Sequence, residues 1–363
     1  MTASPAPRTG EGGTAPASRI DWMLLERSLR FSITVMTPIA VTQAFGMQNW
    51  LVFAMVAGIV AFAGDAGGRP GARLLWMATG PLALCIGLLL GSISLAHPLF
   101  VIALSMTAGL FYGVVETSHP HLLLAARFFA FGIVLAGLVF PPAPIDYLAI
   151  LVMLAYSWLV SLAFDLPRRS WQALTVPPFI AMWPGLALRS RERWAFGASV
   201  AIAVGLALAT THWTGATRPS WACLTILMVM RSEVASSLRL SVERVVGTLA
   251  GVIIAVLVAH NGSESVMLLV MALAAFVRWP AQQVHNALGV FCLTVFVLLM
   301  VELVTPDGSQ ADMLLHERFY DTLIGAVAAG FGLLAFPVLR RLFALAAPDD
   351  GARRNDDHDQ GVA

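Results

Sequence analysis

Apolar runs of near-membrane length, separated by short polar turns, recur along the whole chain. They lie at about 31–46, 49–64, 74–95, 97–116, 121–140, 145–164, 194–212, 220–231, 245–260, 264–281, 284–303 and 319–338. A helix rises about 1.5 Å per residue, so roughly 20 apolar residues cross a hydrocarbon core of about 30 Å. Water cannot satisfy backbone groups in that core, so each run is expected to close its hydrogen bonds as a helix. The expected fold is an all-α integral membrane protein of about 12 transmembrane helices. A mean hydropathy of +0.79 and a charged fraction of only 12% fit this class and no soluble one.

Charge placement adds orientation. All 22 basic residues are Arg and none is Lys, which excludes a P-loop lysine or a Schiff-base lysine. Nineteen of the 22 Arg fall in the tails and in loops on one side of the expected membrane. Only Arg218 and Arg318 fall opposite, with Arg127 inside the fifth run. The positive-inside bias then places both termini in the cytoplasm of a bacterial inner (cell) membrane. The expected layout is a disordered tail over 1–26, a membrane repeat over 27–164, a cytoplasmic linker over 165–193, a second repeat over 194–341 and a disordered tail over 342–363. A net charge of +1 gives no reason to expect nucleic acid. Cys85, Cys223 and Cys292 lack metal or disulfide spacing, so neither metal nor cofactor is expected. His119 and His121 read as loop residues, and Arg278-Trp279-Pro280 as a loop after the tenth run.

The segment 221–251 has a fainter echo at 50–80. Trp50 matches Trp221, Arg73 matches Arg244 and Gly80 matches Gly251, all 171 residues apart. Asp146 falls on Glu317 and Arg169 on Arg340 at the same offset. This points to an internal duplication, two parallel six-helix repeats related by a pseudo-two-fold along the membrane normal. Gly87/Gly91 and Gly247/Gly251 are expected to let the third and ninth helices pack on each other. The second and eighth runs are short for a span, at matching places in both halves. Short or broken helices at such places point to a transporter's binding region. The plainer reading is that the eighth span starts earlier, at Trp213.

The stretches Arg244-Val-Val-Gly-Thr-Leu-Ala-Gly251 and Arg318-Phe-Tyr-Asp-Thr-Leu-Ile-Gly325 share Arg, Thr at +4 and Gly at +7, with Thr294 lying between them in Phe291-Cys-Leu-Thr-Val-Phe296. They resemble the signature stretches of the fusaric acid resistance (FUSC) family of aromatic acid exporters. The resemblance covers about 191–338, more loosely 27–164. The layout is similar to a short branch of that clan known only as a domain of unknown function. It implies efflux of aromatic carboxylic acids and similar toxic compounds across the inner membrane, beside a periplasmic membrane-fusion adaptor protein. Distant plant relatives conduct organic anions. The longer exporters carry a large soluble region between the halves, and here the linker is under thirty residues.

The candidate substrate-binding residues are Arg73, Arg244, Arg231, Arg127, Trp50, Trp221, Thr248 and Thr294. Guanidinium groups hold carboxylates by paired hydrogen bonds. Asp65, Glu233, Asp321 and Glu116 are candidate proton carriers. Asp65, Arg73, Arg231, Glu233 and Arg244 are expected to cluster at a cytoplasmic mouth, with Arg244 at the membrane edge and Glu116 as a partner for Arg127. The competing reading has each Arg snorkelling to headgroups and each Thr bonding its own backbone. Three functions stand open: a proton-driven exporter of small organic anions, a passive organic-anion channel, and a non-transporting membrane scaffold. The lipid bilayer and an adaptor are the expected partners, with a homo-oligomer possible. No paired carboxylates, metal-spaced His or nucleophile elbow points to an enzyme.

Overall fold

A computed structural model describes residues 22–46, 50–65, 70–93, 97–116, 120–138, 141–165, 190–215, 219–304 and 311–345. It contains the helices α1 (Trp22–Phe45), α2 (Leu51–Ala63), α3 (Pro70–Ile93), α4 (Pro98–Val115), α5 (Pro120–Leu138), α6 (Pro144–Asp165), α7 (Arg191–Thr214), α8 (Pro219–Val229), α9 (Val234–Asn261), α10 (Glu264–Val284), α11 (Asn286–Val304) and α12 (Ala311–Leu345). Among the described residues there is no strand.

Local chemistry explains where the helices start. α3, α4, α5, α6 and α8 each begin on a Pro, whose fixed φ suits the first helical position and whose missing N–H is not needed there. Asp146 reaches back from the first turn of α6 to accept the Ala143 N–H at 2.7 Å, one half of a capping box. Inside the apolar helices, Thr34, Thr42, Ser105, Ser157 and Thr225 donate to the carbonyl one turn back. That is how a hydroxyl is accommodated where water is absent.

Among the described residues, eight helices are long and apolar enough to cross a membrane: α3, α5, α6, α7, α9, α10, α11 and α12. α2, α4 and α8 are apolar but shorter. The eleven residues of α8 rise only about 16 Å, and the thirteen of α2 about 20 Å, against a core of about 30 Å. The eighth helix starts at Pro219 and not at Trp213, so both short runs of the sequence are short helices. Their burial compensates. All but two residues of α8 are buried, and nine of thirteen in α2.

Some boundaries differ from expectation. α1 already starts at Trp22, and α7 takes Arg191 and Arg193 into its first turn. α9 begins at Val234, so Arg244 lies nearly three turns inside it and not at its edge. Arg278-Trp279-Pro280 is helical, within the last two turns of α10. The tails outside 22–345 and the linker interior lie outside the described residues.

Packing joins the two halves of the chain. Within each half, α3 packs on α5 as α9 does on α11, and α2 on α6 as α8 on α12. Across the halves, α1 packs on α10 and α4 on α7. One apolar core gathers Phe31, Val35 and Ile39 of α1 with Met271, Ala275, Val295 and Phe296 of α10 and α11. Another gathers Val101, Ala108 and Ile133 of α4 and α5 with Val200, Val204 and Ile226 of α7 and α8. The small-residue pairs do mark close helix approaches, but inside each half. Gly87 and Gly91 fit α3 against Phe129, Gly132 and Ile133 of α5. Gly247 and Gly251 fit α9 against Ala287, Phe291 and Thr294 of α11. A Cβ at Gly251 would meet the Thr294 Cβ at 2.8 Å, so only glycine lets the two backbones approach this closely.

Candidate functional site

The short helices set the electrostatic problem. A helix that stops inside an apolar bundle leaves its last carbonyls without intrahelical donors and its negative dipole end without water. At the end of α8 the donors come from other helices. Arg127 of α5, 9% exposed, donates from Nε to the Leu227 carbonyl at 3.0 Å. Its Nη2 lies 3.5 Å from the Tyr112 hydroxyl of α4. That hydroxyl donates to the Met230 carbonyl at 3.4 Å. Ser237, in the first turn of α9, donates to the carbonyls of Arg231 and Glu233 and accepts the Arg231 N–H at 2.7 Å. Arg231 also faces Glu116 at 3.9 Å. Glu116 therefore partners Arg231, and Arg127 is held by a backbone carbonyl in its place.

Arg244 approaches the same helix from α9. Its Nε lies 3.3 Å from the Thr225 hydroxyl in the middle of α8, and the guanidinium is within electrostatic reach of Arg127. Among the ion pairs between described residues, neither Arg127 nor Arg244 takes part. Two cations thus converge on one buried short helix with no described carboxylate between them.

The end of α2 is built differently. Arg73, in the first turn of α3 and 3% exposed, faces Asp65 at 3.5 Å and pairs with Asp165 at the end of α6. The second oxygen of Asp65 faces Arg30 of α1 at 3.5 Å. Arg27 donates to the Asp65 carbonyl at 3.1 Å, and Arg30 also faces Glu26 at 3.9 Å. The two arginines that lie 171 residues apart have opposite surroundings. Arg73 sits in a compensated network that locks α1, α2, α3 and α6, whereas Arg244 faces a hydroxyl.

The remaining candidates disperse. Trp50 precedes α2 and Trp221 opens α8, and both pack against one apolar cluster that includes Phe53, Val60 and Leu224. Thr294 is buried in the α9–α11 seam against Gly251, and Thr248 is buried beside it on α9. Asp321, 1% exposed, lies in the third turn of α12. Glu233 is exposed, precedes α9 and helps line a cavity of about 320 Å³ with Gly113, Ser190, Glu192, Arg193, Phe196 and Ser232. The expected single cluster of Asp65, Arg73, Arg231, Glu233 and Arg244 is therefore two groups, one at each short helix. His121 stacks on Trp76 at 4.0 Å; His119 lies outside the described residues.

Sequence reasoning did not pick out Asp165, Tyr112 or Thr225. Asp165 carries a readable signal: it ends an apolar run on the same side as Asp65 and Arg73. Tyr112, one of four Tyr in the chain, stands alone in an apolar run, which in a membrane bundle asks for an acceptor. The Leu227 carbonyl that Arg127 takes leaves no trace in side-chain identity.

The two close-packed seams, α9 on α11 through Gly251 and α12 on α8 through Gly325, involve all the signature stretches read in the sequence. Residues 200–332 match the family described as fusaric acid resistance protein-like. The fusaric acid resistance protein-like segment runs from α7 into α12 and contains α8, Arg231, Arg244, Thr248, Thr294 and Asp321. Together with the long apolar helices among the described residues, the match fits a multi-pass membrane protein. No curated protein and no solved structure matches the chain.

Proposed function

We propose that this protein exports small organic anions, aromatic carboxylates foremost, across a bacterial inner membrane with both termini in the cytoplasm. The observation that carries the reading is the approach of Arg127 and Arg244 to α8 with no described carboxylate between them. In a low-dielectric bundle two guanidinium groups favour an anion, and their planar forks suit a carboxylate. Thr225 adds a hydroxyl, and the nearby indole of Trp221 a flat apolar surface for an aromatic ring. Arg73 is assigned to structure, because its guanidinium already faces two acids.

The same six-helix packing order in both halves supports two parallel repeats, moving against each other in alternating access. Proton coupling through Asp321 or Glu233 and work beside a periplasmic adaptor complete the proposal. The buried polar groups at α8 favour transport over a purely structural scaffold, whose interior would be uniformly apolar. No enzymatic activity is proposed.

The test is whole-cell efflux of a radiolabelled aromatic acid, normalised to protein in the membrane. Arg244→Lys keeps the charge and loses the fork, so efflux per molecule is expected to fall. Arg73→Lys is expected to lower the amount of folded protein and leave the rate per molecule. Dissipating the proton gradient at constant ATP is expected to stop efflux. Wild-type efflux by Arg244→Lys removes this residue from the site, and efflux that survives without the gradient turns the exporter into a channel.

A further inference from the structure

The first turns of α1 and the last two turns of α10 bring three nitrogen donors around one indole. The guanidinium carbon of Arg27 lies 3.9 Å from the Trp279 ring centroid. That of Arg278 lies 4.7 Å from the same ring and 5.0 Å from Phe31. Phe31 and Phe62 close the remaining sides, at 6.1 and 5.8 Å from the indole. The rings favour the cations but offer no lone pair in the direction of an N–H.

Arg27 Nε, Arg278 Nη1 and Trp279 Nε1 are all shielded from solvent and have no hydrogen-bond acceptor among the described residues. Arg27 spends its Nη2 on the Asp65 carbonyl. The Asp65 carboxylate acts on Arg27 only at longer range, since its oxygens face Arg30 and Arg73. Arg27 and Arg278 also repel each other. Buried donors without acceptors and paired like charges are each unfavourable by themselves. A single oxyanion bridging the two guanidinium groups and the indole N–H removes both penalties at once.

The surroundings indicate which oxyanion. α10 is the least enclosed of the long apolar helices, with 17% of its apolar stretch buried against 33–72% in the others. Leu269, Leu273 and Val277 on its outer face are exposed, a surface suited to acyl chains. Arg278 and Trp279 turn from that face into the α1–α10 seam, so a group entering the seam beside it comes from the bilayer, and two arginines beside a tryptophan near a helix end are the chemistry of a headgroup site.

We propose that Arg27, Arg278 and Trp279 form a phosphate site at the α1–α10 seam, occupied by the headgroup of an anionic phospholipid. The proposal does not depend on Arg127, Arg244 or any transported substrate. It is tested on the purified full chain by native mass spectrometry, titrating phosphatidylglycerol and phosphatidylcholine, with inorganic phosphate as the soluble competitor. One phosphatidylglycerol is expected to bind roughly tenfold or more tightly than phosphatidylcholine. Arg278→Gln and Arg27→Gln should each remove that preference, since each deletes a charge-assisted hydrogen bond worth about that factor. Trp279→Phe, which keeps an aromatic ring and loses the N–H, should weaken it less. Where Arg278→Gln does not fold, Arg27→Gln carries the test alone. Equal binding of the two lipids by the wild type, or an unchanged preference in a folded Arg→Gln variant, overturns the site. Displacement of phosphatidylglycerol by millimolar inorganic phosphate overturns the lipid assignment.

Discussion

Replacing Arg127 by Met distinguishes a tolerated charge from a strut, because the two differ in sign. An Arg at the centre of a membrane helix costs about 2.5–3.5 kcal/mol on insertion scales. Were Arg127 merely tolerated, Met would recover part of that and raise stability. The structure predicts the reverse. Arg127 donates to the Leu227 carbonyl at 3.0 Å, and the N–H four residues on, that of Arg231, is turned away to Ser237. Met leaves this carbonyl without its side-chain donor, a loss of about 1–3 kcal/mol. It also removes a cation from a buried helix C-terminus, worth up to about 2 kcal/mol. Together the two losses come to about 1–5 kcal/mol, and the prediction is that they outweigh whatever part of the insertion cost Met recovers, read as a lower melting temperature of the purified protein in one fixed detergent. Tyr112→Phe is the control. Its hydroxyl sits 3.4 Å from the Met230 carbonyl, a long bond, so its loss should cost no more than about 1 kcal/mol. An Arg127→Met variant that melts at or above the wild type refutes the strut.

Asp165→Asn should destabilise the fold by about 3–5 kcal/mol by leaving Arg73 undercompensated in a buried site; a wild-type melting temperature would show that Asp65 alone suffices. Gly251→Val should lower the yield of folded protein, since its Cβ would lie 2.8 Å from the Thr294 Cβ and 3.0 Å from the Phe291 oxygen. Gly330→Ala meets nothing within 4 Å and should stabilise by about 0.5–1 kcal/mol; equal behaviour of the two glycine variants would contradict the seam. In a background lacking Cys85, Cys223 and Cys292, Ser263→Cys should react with an impermeant thiol reagent in intact cells, while Glu233→Cys should not. The opposite labelling would invert the orientation.

The helices were largely legible because hydropathy reports burial in lipid directly, and Pro marks helix starts at Pro70, Pro98, Pro120, Pro144 and Pro219. The two short helices were legible too, from the intervals between Trp221 and Arg231 and between Trp50 and Asp65. What hid Arg244 is the composition of 234–243, VASSLRLSVE. Its polar residues read as a loop, yet it is helical, with Arg239 bonded to Glu243 one turn on at 2.7 Å. Arg73 and Arg244 are identical as letters and opposite in surroundings, because Asp165 and Asp65 reach only one of them. Arg127 was visible as an anomaly but its partner was not, since backbone acceptors are common to every residue. The Gly pairs were read correctly as close-packing devices and assigned to the wrong neighbours, because spacing gives the face of a helix and not what lies against it.

The packing of α1 against α10 has a consequence for how the protein is made. Phe31, Val35 and Ile39 meet Leu51, Met55 and Phe62 of α2 early, but the rest of their core, Met271, Ala275, Val295 and Phe296, is synthesised more than two hundred residues later. At roughly 5–20 residues per second, the first helix waits on the order of ten seconds or more in the membrane with its α10-facing side open to lipid. A ribosome-released fragment ending in the linker would keep that seam open for good, so the halves are not expected to mature as separate pieces. Co-expressed as two chains, they should instead find each other and complete the bundle in trans.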